Sequence, residues 1–262
     1  MCGIAGYSLA ADSALERTLA AQALLAGIAE RGADAAGYAY REPDGTVVVR
    51  KQRTGASALL ERIDVPARAT EVLIHVRDYT KGHPTIEANN HPIRHGHVVG
   101  IHNGHVYNDD ELMAAHGFER AEPRMTVDSE AIFALAEAFE GRAQALEELR
   151  GSLATAWLDE RRAGVVFCAR GVGRPLWIGD APGAVFFAST RQALEVVEAY
   201  AGLALEKREI AEGTLVGLER GRLAWRETFT PNRSFEETPL PAVRAPDEGA
   251  SCLQRLAALA AA

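Results

Sequence analysis

Apolar and polar positions along this chain fall into short strand-length runs broken by a few helical stripes. Residues 2–9 are apolar and short, the signature of a buried strand. Ser13 and Glu16 make a capping-box pattern that opens a helix to about Glu30, with Leu15, Leu19, Leu24 and Ile28 on one face. Residues 37–41 and 47–52 are strand-like and flank Pro43-Asp44-Gly45, a turn-forming triplet, so a hairpin is expected. A helix should follow over 57–63, then a β-branched central strand over 70–76.

From 77 to 94 the periodicity lapses into Gly, Pro, Asn and His, the composition of a functional loop. A strand returns at 98–101, and Asn103-Gly104 predicts a turn. A short helix is expected at 109–115 and an amphipathic one at 129–140, with Ile132, Leu135, Ala136 and Phe139 inward. Strands follow at 153–158, 164–169, 176–178 and 185–189, a helix at 191–200, and further strands to about 225. Beyond 230 come Pro231, Pro239, Pro241 and Pro246 and a short Ala/Leu helix. The expected organisation is one domain over 1–228 and a Pro-rich surface wrap and tail over 229–262. Strand runs joined by tight turns favour antiparallel sheets, hence an α+β fold.

The 262 residues are 47% hydrophobic and 24% charged, an ordinary globular balance, with net charge −8. That charge disfavours a nucleic-acid partner. No apolar run reaches the roughly 18 residues of a membrane span, and no secretory signal is visible. Three cysteines without an export signal argue against a disulfide framework and for a cytoplasmic protein. Cys168 sits in an apolar run and reads as core, and Cys252 carries no signal.

Cys2 directly follows the initiator methionine. Were Met1 removed, thiol and α-amine would share one residue, and an amine titrating near pH 8 can serve as base to its own thiol. A buried, inert cysteine is the other reading. Asn103-Gly104 offers a side-chain amide and an adjacent N–H for an oxyanion, or is simply an Asn-Gly turn. Arg77 with Thr80, at a strand end, suits a carboxylate, or is a solvated charge. Asp128 suits an ammonium, or caps the 129–140 helix. Together they describe a site for an amino acid with a side-chain amide, and glutamine fits. Seven of the eight histidines lie between His75 and His105, and His95 and His97 would share a strand face. No HExxH or CxxC accompanies them, so neither a metal nor a cofactor is expected.

These residues resemble a known family. Met1-Cys2-Gly3-Ile4 is similar to the start of the class II glutamine amidotransferases, which are N-terminal-nucleophile hydrolases. Arg31-Gly32-Ala33-Asp34-Ala35-Ala36-Gly37 is close to the family's Arg-Gly-x-Asp-Ser-Ala-Gly. His75-Val76-Arg77-Asp78-Tyr79-Thr80-Lys81-Gly82 resembles its His-Thr-Arg-Trp-Ala-Thr-His-Gly, Asn90-His91-Pro92 its Ala-His-Pro, and Val127-Asp128-Ser129-Glu130 its Ser-Asp-Thr-Glu. His102-Asn103-Gly104 matches outright. Arg170 through Gly179 and Phe187-Ala188-Ser189 continue the likeness, which covers about 2–220. Two positions depart: Asp78 replaces the family's tryptophan and Lys81 its histidine.

The resemblance implies a four-layer αββα sandwich. It implies Cys2 as nucleophile and base, Asn103 and Gly104 at the oxyanion, and Arg77, Thr80 and Asp128 on glutamine, with His91 shaping the site. The expected reaction is hydrolysis of the glutamine amide through a γ-glutamyl thioester, with ammonia passed to a separate synthetase chain. The Asp78 and Lys81 changes point alternatively to another γ-glutamyl amide, as in thiol biosynthesis. A non-catalytic regulatory subunit is the third reading. The 77–94 loop should order on ligand binding, and the oligomeric state, a homo-oligomer included, stays open.

Overall fold

A computed structural model describes residues 2–237 and 245–261. Strand β1 (Gly3–Leu9) is buried throughout, as its apolar run requires. Helix α1 (Arg17–Ile28) starts three residues later than a cap at Ser13 would place it. Glu16 is the N-cap, its carboxylate taking the N–H groups of Thr18 and Leu19. The Ser13 hydroxyl instead accepts from Leu15 N–H. Both oxygens of Glu16 reach orphan first-turn donors, which explains why it takes the position.

Strands β2 (Ala35–Arg41) and β3 (Val47–Gln52) form the expected hairpin, closed by Glu42 N–H to Thr46 O at 2.8 Å. Helix α2 (Ala56–Leu60) leads to β4 (Glu71–Arg77), which is buried along its whole length. After the long loop come β5 (Ile93–His95), β6 (Val98–Val106), α3 (Asp109–His116) and α4 (Glu130–Ala138). Then follow β7 (Gly151–Asp159), β8 (Val165–Arg170), β9 (Trp177–Ala181), β10 (Ala184–Ala188) and α5 (Arg191–Ala201). The last strands are β11 (Glu206–Glu209), β12 (Thr214–Glu219) and β13 (Arg222–Thr228).

Two antiparallel sheets result, in the orders β11-β9-β10-β1-β4-β2-β3 and β13-β12-β8-β7-β6-β5. Their facing sides share an apolar layer that includes Ile4, Leu73, Val99, Ile101, Ala154 and Phe187. Helices α1, α2 and α5 cover the outer face of the first sheet, and α3 and α4 that of the second. The layers therefore run helix, sheet, sheet, helix, the four-layer αββα sandwich of the α+β class. Helix α1 lies beneath other helices as well as on the sheet, so nine of its twelve residues are buried.

Of the tail, Pro239 and Pro241 fall outside the described residues. Helix α6 (Pro246–Ala260) packs on α1 and α2 and buries Cys252 and Leu256 completely. Its Glu248 carboxylate accepts from Ser57 N–H and Oγ–H in the first turn of α2, at 2.9 and 3.0 Å. No helix among the described residues is long and apolar enough to cross a membrane.

Candidate active site

The two central strands of the first sheet deliver the nucleophile candidate to the loop. Gly3 stands opposite Val76, so Cys2, just before β1, lies beside the end of β4 at Arg77. The Cys2 carbonyl accepts from Arg31 Nε–H at 2.9 Å. Its thiol donates to the Asp78 carbonyl at 3.3 Å. The Arg31-to-Asp34 segment braces the same place from the other side. Asp34 N–H donates to Arg77 O at 3.0 Å, and the Asp34 carboxylate accepts from Tyr79 N–H at 2.9 Å. Gly32 runs so close that a Cβ there would lie 2.4 Å from both the carbonyl carbon and oxygen of Arg77.

Burial pushes the Cys2 thiol up, and the Arg77 charge is the largest force opposing it. Burial likewise draws Arg77 down, opposed by Cys2 and then Asp128. Arg77 is not the solvated strand-end charge of the plainer reading: it is 2% exposed. Its guanidinium donates to Asn90 Oδ1 at 2.6 Å, to Lys81 O at 2.9 Å, and to Gly82 O. It thereby shapes the loop as well as facing the site.

Asn103 and Gly104 do not form a turn. Strand β6 runs through them, pairing Asn103 with Ala154 and Gly104 with Leu153. Cross-strand pairing to β7 overrides the local Asn-Gly preference. Gly104 has φ +148, and a Cβ there would sit 1.9 Å from Ser152 O, so only glycine fits. Asn103 is 1% exposed, and neither its Nδ2 nor its Oδ1 has a partner in the protein. Asp128 is not the cap of α4 either. Ser129 holds that position, and the Asp128 carboxylate accepts from Val106 N–H, at the end of β6, at 2.7 Å.

A narrow recess is lined by Cys2, Arg77, Thr80, His91, Gly104 and Asp128 together. Thr80 is exposed, whereas Asn103, the residue before Gly104 in β6, is buried and does not line the recess. Lys81 also lines it, with its ammonium held by Asp109 at 2.7 Å and Asp110 at 2.8 Å. Burial works against the Lys81 charge, but the hydrogen bonds to Asp109 and Asp110 push its pKa up overall. Arg120 extends this network to Asp110 at 2.7 Å and to the buried Glu130 at 3.1 Å.

The histidines take separate parts. His102 Nε2 faces Ser152 O at 3.3 Å and its Nδ1 faces Ser129 Oγ at 2.9 Å. A carbonyl only accepts, so the proton is on Nε2 and Nδ1 takes the serine hydroxyl. Burial pushes His102 down to about 4 and His75 down to about 3. His95 and His97 pair with Glu130 and Glu137. Among the described residues, no group of three or more His, Cys, Asp or Glu is arranged to hold a metal ion.

Sequence reasoning overlooked Asp34, Asn90, Ser129 and His102 as parts of the site. Each lies inside a motif already singled out, but its hydrogen-bond partners are distant in sequence.

Cys2, Arg77 and Asp128 thus meet at one recess, where the central strands β1 and β4 of the first sheet adjoin the long loop. Residues 78–196 match the glutamine amidotransferase domain family, and the chain is homologous to class II glutamine amidotransferase domains, whose αββα sandwich it shares. It is 32% identical over 230 residues to the glutamine–fructose-6-phosphate aminotransferase (isomerizing) of Escherichia coli O6:H1, covering 82% of this chain and 36% of that enzyme. The same enzyme of Salmonella typhimurium matches at 32% identity over the same shares. This chain thus spans about a third of the length of those relatives. In fold it is similar to the glutamine phosphoribosylpyrophosphate amidotransferase of B. subtilis, with TM-score 0.69 at 20% identity over 88% of this chain and 50% of that one. A glutamine aminotransferase class-II domain protein from Silicibacter pomeroyi shares the fold at TM-score 0.54 and 15% identity, over 88% of this chain and all of that one.

Proposed function

We propose that this domain hydrolyses the side-chain amide of glutamine to glutamate and ammonia through a γ-glutamyl thioester on Cys2. The observation that carries the reading is the convergence of Cys2, Arg77 and Asp128 on one recess, with the buried, unpartnered Asn103 next in sequence to Gly104, which lines it. Arg77 and Thr80 take the substrate carboxylate, Asp128 its ammonium, and His91 shapes the inner wall.

Because burial raises the Cys2 thiol, the nucleophile needs a base. Removal of Met1, which lies outside the described residues, supplies one as the α-amine of Cys2. The amine takes the thiol proton, and the thiolate attacks the amide carbon. The Asn103 Nδ2–H and Gly104 N–H hold the oxyanion. On collapse the C–N bond breaks and the amine returns its proton to the departing ammonia. Water then cleaves the thioester. In this reading the amidotransferase unit occupies 1–228, with 229–262 as its tail. The ammonia passes to an acceptor on a separate synthetase chain.

The test is glutamate formation from glutamine by the purified protein. Cys2→Ala should abolish it while circular dichroism stays unchanged, and intact mass should show Met1 absent from the active form. The Lys81 ammonium pinned to Asp109 and Asp110 on the recess wall favours one variant of this reading, in which the substrate is another γ-glutamyl amide. Cys2-dependent cleavage of such an amide, with glutamine untouched, would select it.

A further inference from the structure

Behind Cys2, the apolar layer between the sheets gives way to polar atoms. His75 and His91 stack with ring centroids 4.2 Å apart. His75 Nε2 lies 3.0 Å from His102 O, which fixes its proton there and leaves Nδ1 as a bare acceptor. That Nδ1 has no donor in the protein, and neither ring nitrogen of His91 has a partner. His75 is fully buried and His91 is 3% exposed, and His91 forms part of the recess wall. Burial holds both rings neutral, with the His75 and Arg77 neighbours reinforcing this at His91. Buried polar atoms in native proteins are satisfied, and a cluster of them is satisfied by internal water.

We propose that His75 and His91 form a binding site for an ordered water, and that this water hydrolyses the thioester. The inference rests on the hydrolase reading above and gives His91 a definite part in its second half. The water oxygen bonds to the acyl carbon and the C–S bond breaks. One water proton passes through the Cys2 amine to the departing sulfur, and the second is lost as the new carboxyl ionises. His91, a poor base, holds and orients the water while the amine takes the proton.

The experiment partitions the acyl-enzyme between water and hydroxylamine, a nucleophile that enters from solvent. In His91→Leu, first-turnover ammonia release should outrun steady-state glutamate formation, whatever the reshaped wall does to substrate binding. Steady-state glutamate formation should fall about tenfold, the effect of losing one orienting hydrogen bond. The ratio of γ-glutamyl hydroxamate to glutamate should rise by a similar factor. His91→Asn, which keeps a donor and an acceptor, should move this ratio back toward wild type. A ratio unchanged in His91→Leu, or equal in the Leu and Asn variants, would overturn the proposal. So would a high-resolution structure of the wild-type protein with no water bonded to His91 and His75 Nδ1. Wild-type protein that releases no ammonia from any γ-glutamyl amide would instead remove the hydrolase reading, and the crystal would still decide the water site.

Discussion

The Cys2 thiol donates to the carbonyl oxygen of Asp78, 3.3 Å away. The nucleophile candidate is thus parked on the first residue of the loop, where the family's tryptophan is replaced. Burial pushes the thiol up, and Arg77 offsets this only in part. The thiolate fraction is therefore small at neutral pH and keeps growing above the ordinary cysteine value of about 8.5. Alkylation of Cys2 by iodoacetamide should accelerate throughout about pH 7 to 10. A plateau below about pH 8 would mean that the Arg77 charge outweighs burial. The buried Cys168 is also pushed up, and burial pushes Cys252 up to about 12, so the label should map to Cys2.

Gly32 is pressed against backbone, which cannot rotate away. In Gly32→Ala the new methyl would meet Arg77 C and O at 2.4 Å and Asp78 N at 2.7 Å. Overpacking of this kind costs about 1–3 kcal/mol. Urea unfolding should show that loss, and glutamine turnover should fall with it because Arg77 and Asp78 frame Cys2. Unchanged stability would show that the 31–34 segment shifts freely.

Lys81 bridges the loop to the first turn of α3 through Asp109 and Asp110. Asp109 is nearly buried, whereas Lys81 is 31% exposed, so the pairing is worth on the order of 1 kcal/mol. Lys81→Met should raise KM for glutamine about fivefold, with a smaller change in kcat, and Lys81→Arg should restore most of it. Raising salt should increase KM more in the wild type than in Lys81→Met, since the Arg77 and Asp128 contacts to substrate are common to both. Equal salt dependence in both proteins would exclude the bridge as the cause.

The buried histidines tie stability to pH. His75 and His102 are held at about 3 and 4, and His91 well below its usual value, in each case chiefly by burial. Unfolded, each titrates near about 6.5, so below that pH the unfolded chain binds protons the native one does not. Their contribution is complete above about pH 6.5 and is lost as pH falls toward 4. Thermal melts should drop between about pH 6.5 and 5, and His75→Gln should lessen the slope by about one proton.

Much of the architecture was legible because it depends on local pattern. The β-branched run of β4 and the apolar run of β1 found their places as central neighbours in one sheet. Cys2, Arg77, Thr80, His91, Gly104 and Asp128, picked out from separate stretches of sequence, line one recess. Two local expectations failed: Glu16 rather than Ser13 caps α1, and Asn103-Gly104 lies within β6. In the second, a partner strand distant in sequence outbid the local preference. Of the two readings of Asp128, the cap is excluded by its bond to Val106.

The sequence by itself determined most of the strand and helix inventory, the short β5 inside the expected loop excepted, because side-chain periodicity is a property of neighbours along the chain. It also determined which residue types were available as nucleophile, oxyanion donor and ion partners. Only the tertiary structure decided that the Arg77 guanidinium braces the loop through Asn90, Lys81 and Gly82. It alone left the imidazoles of His75 and His91 stacked and short of partners between the sheets. Hydrogen-bond satisfaction and desolvation depend on what surrounds an atom in space, and most of those neighbours are remote along the chain.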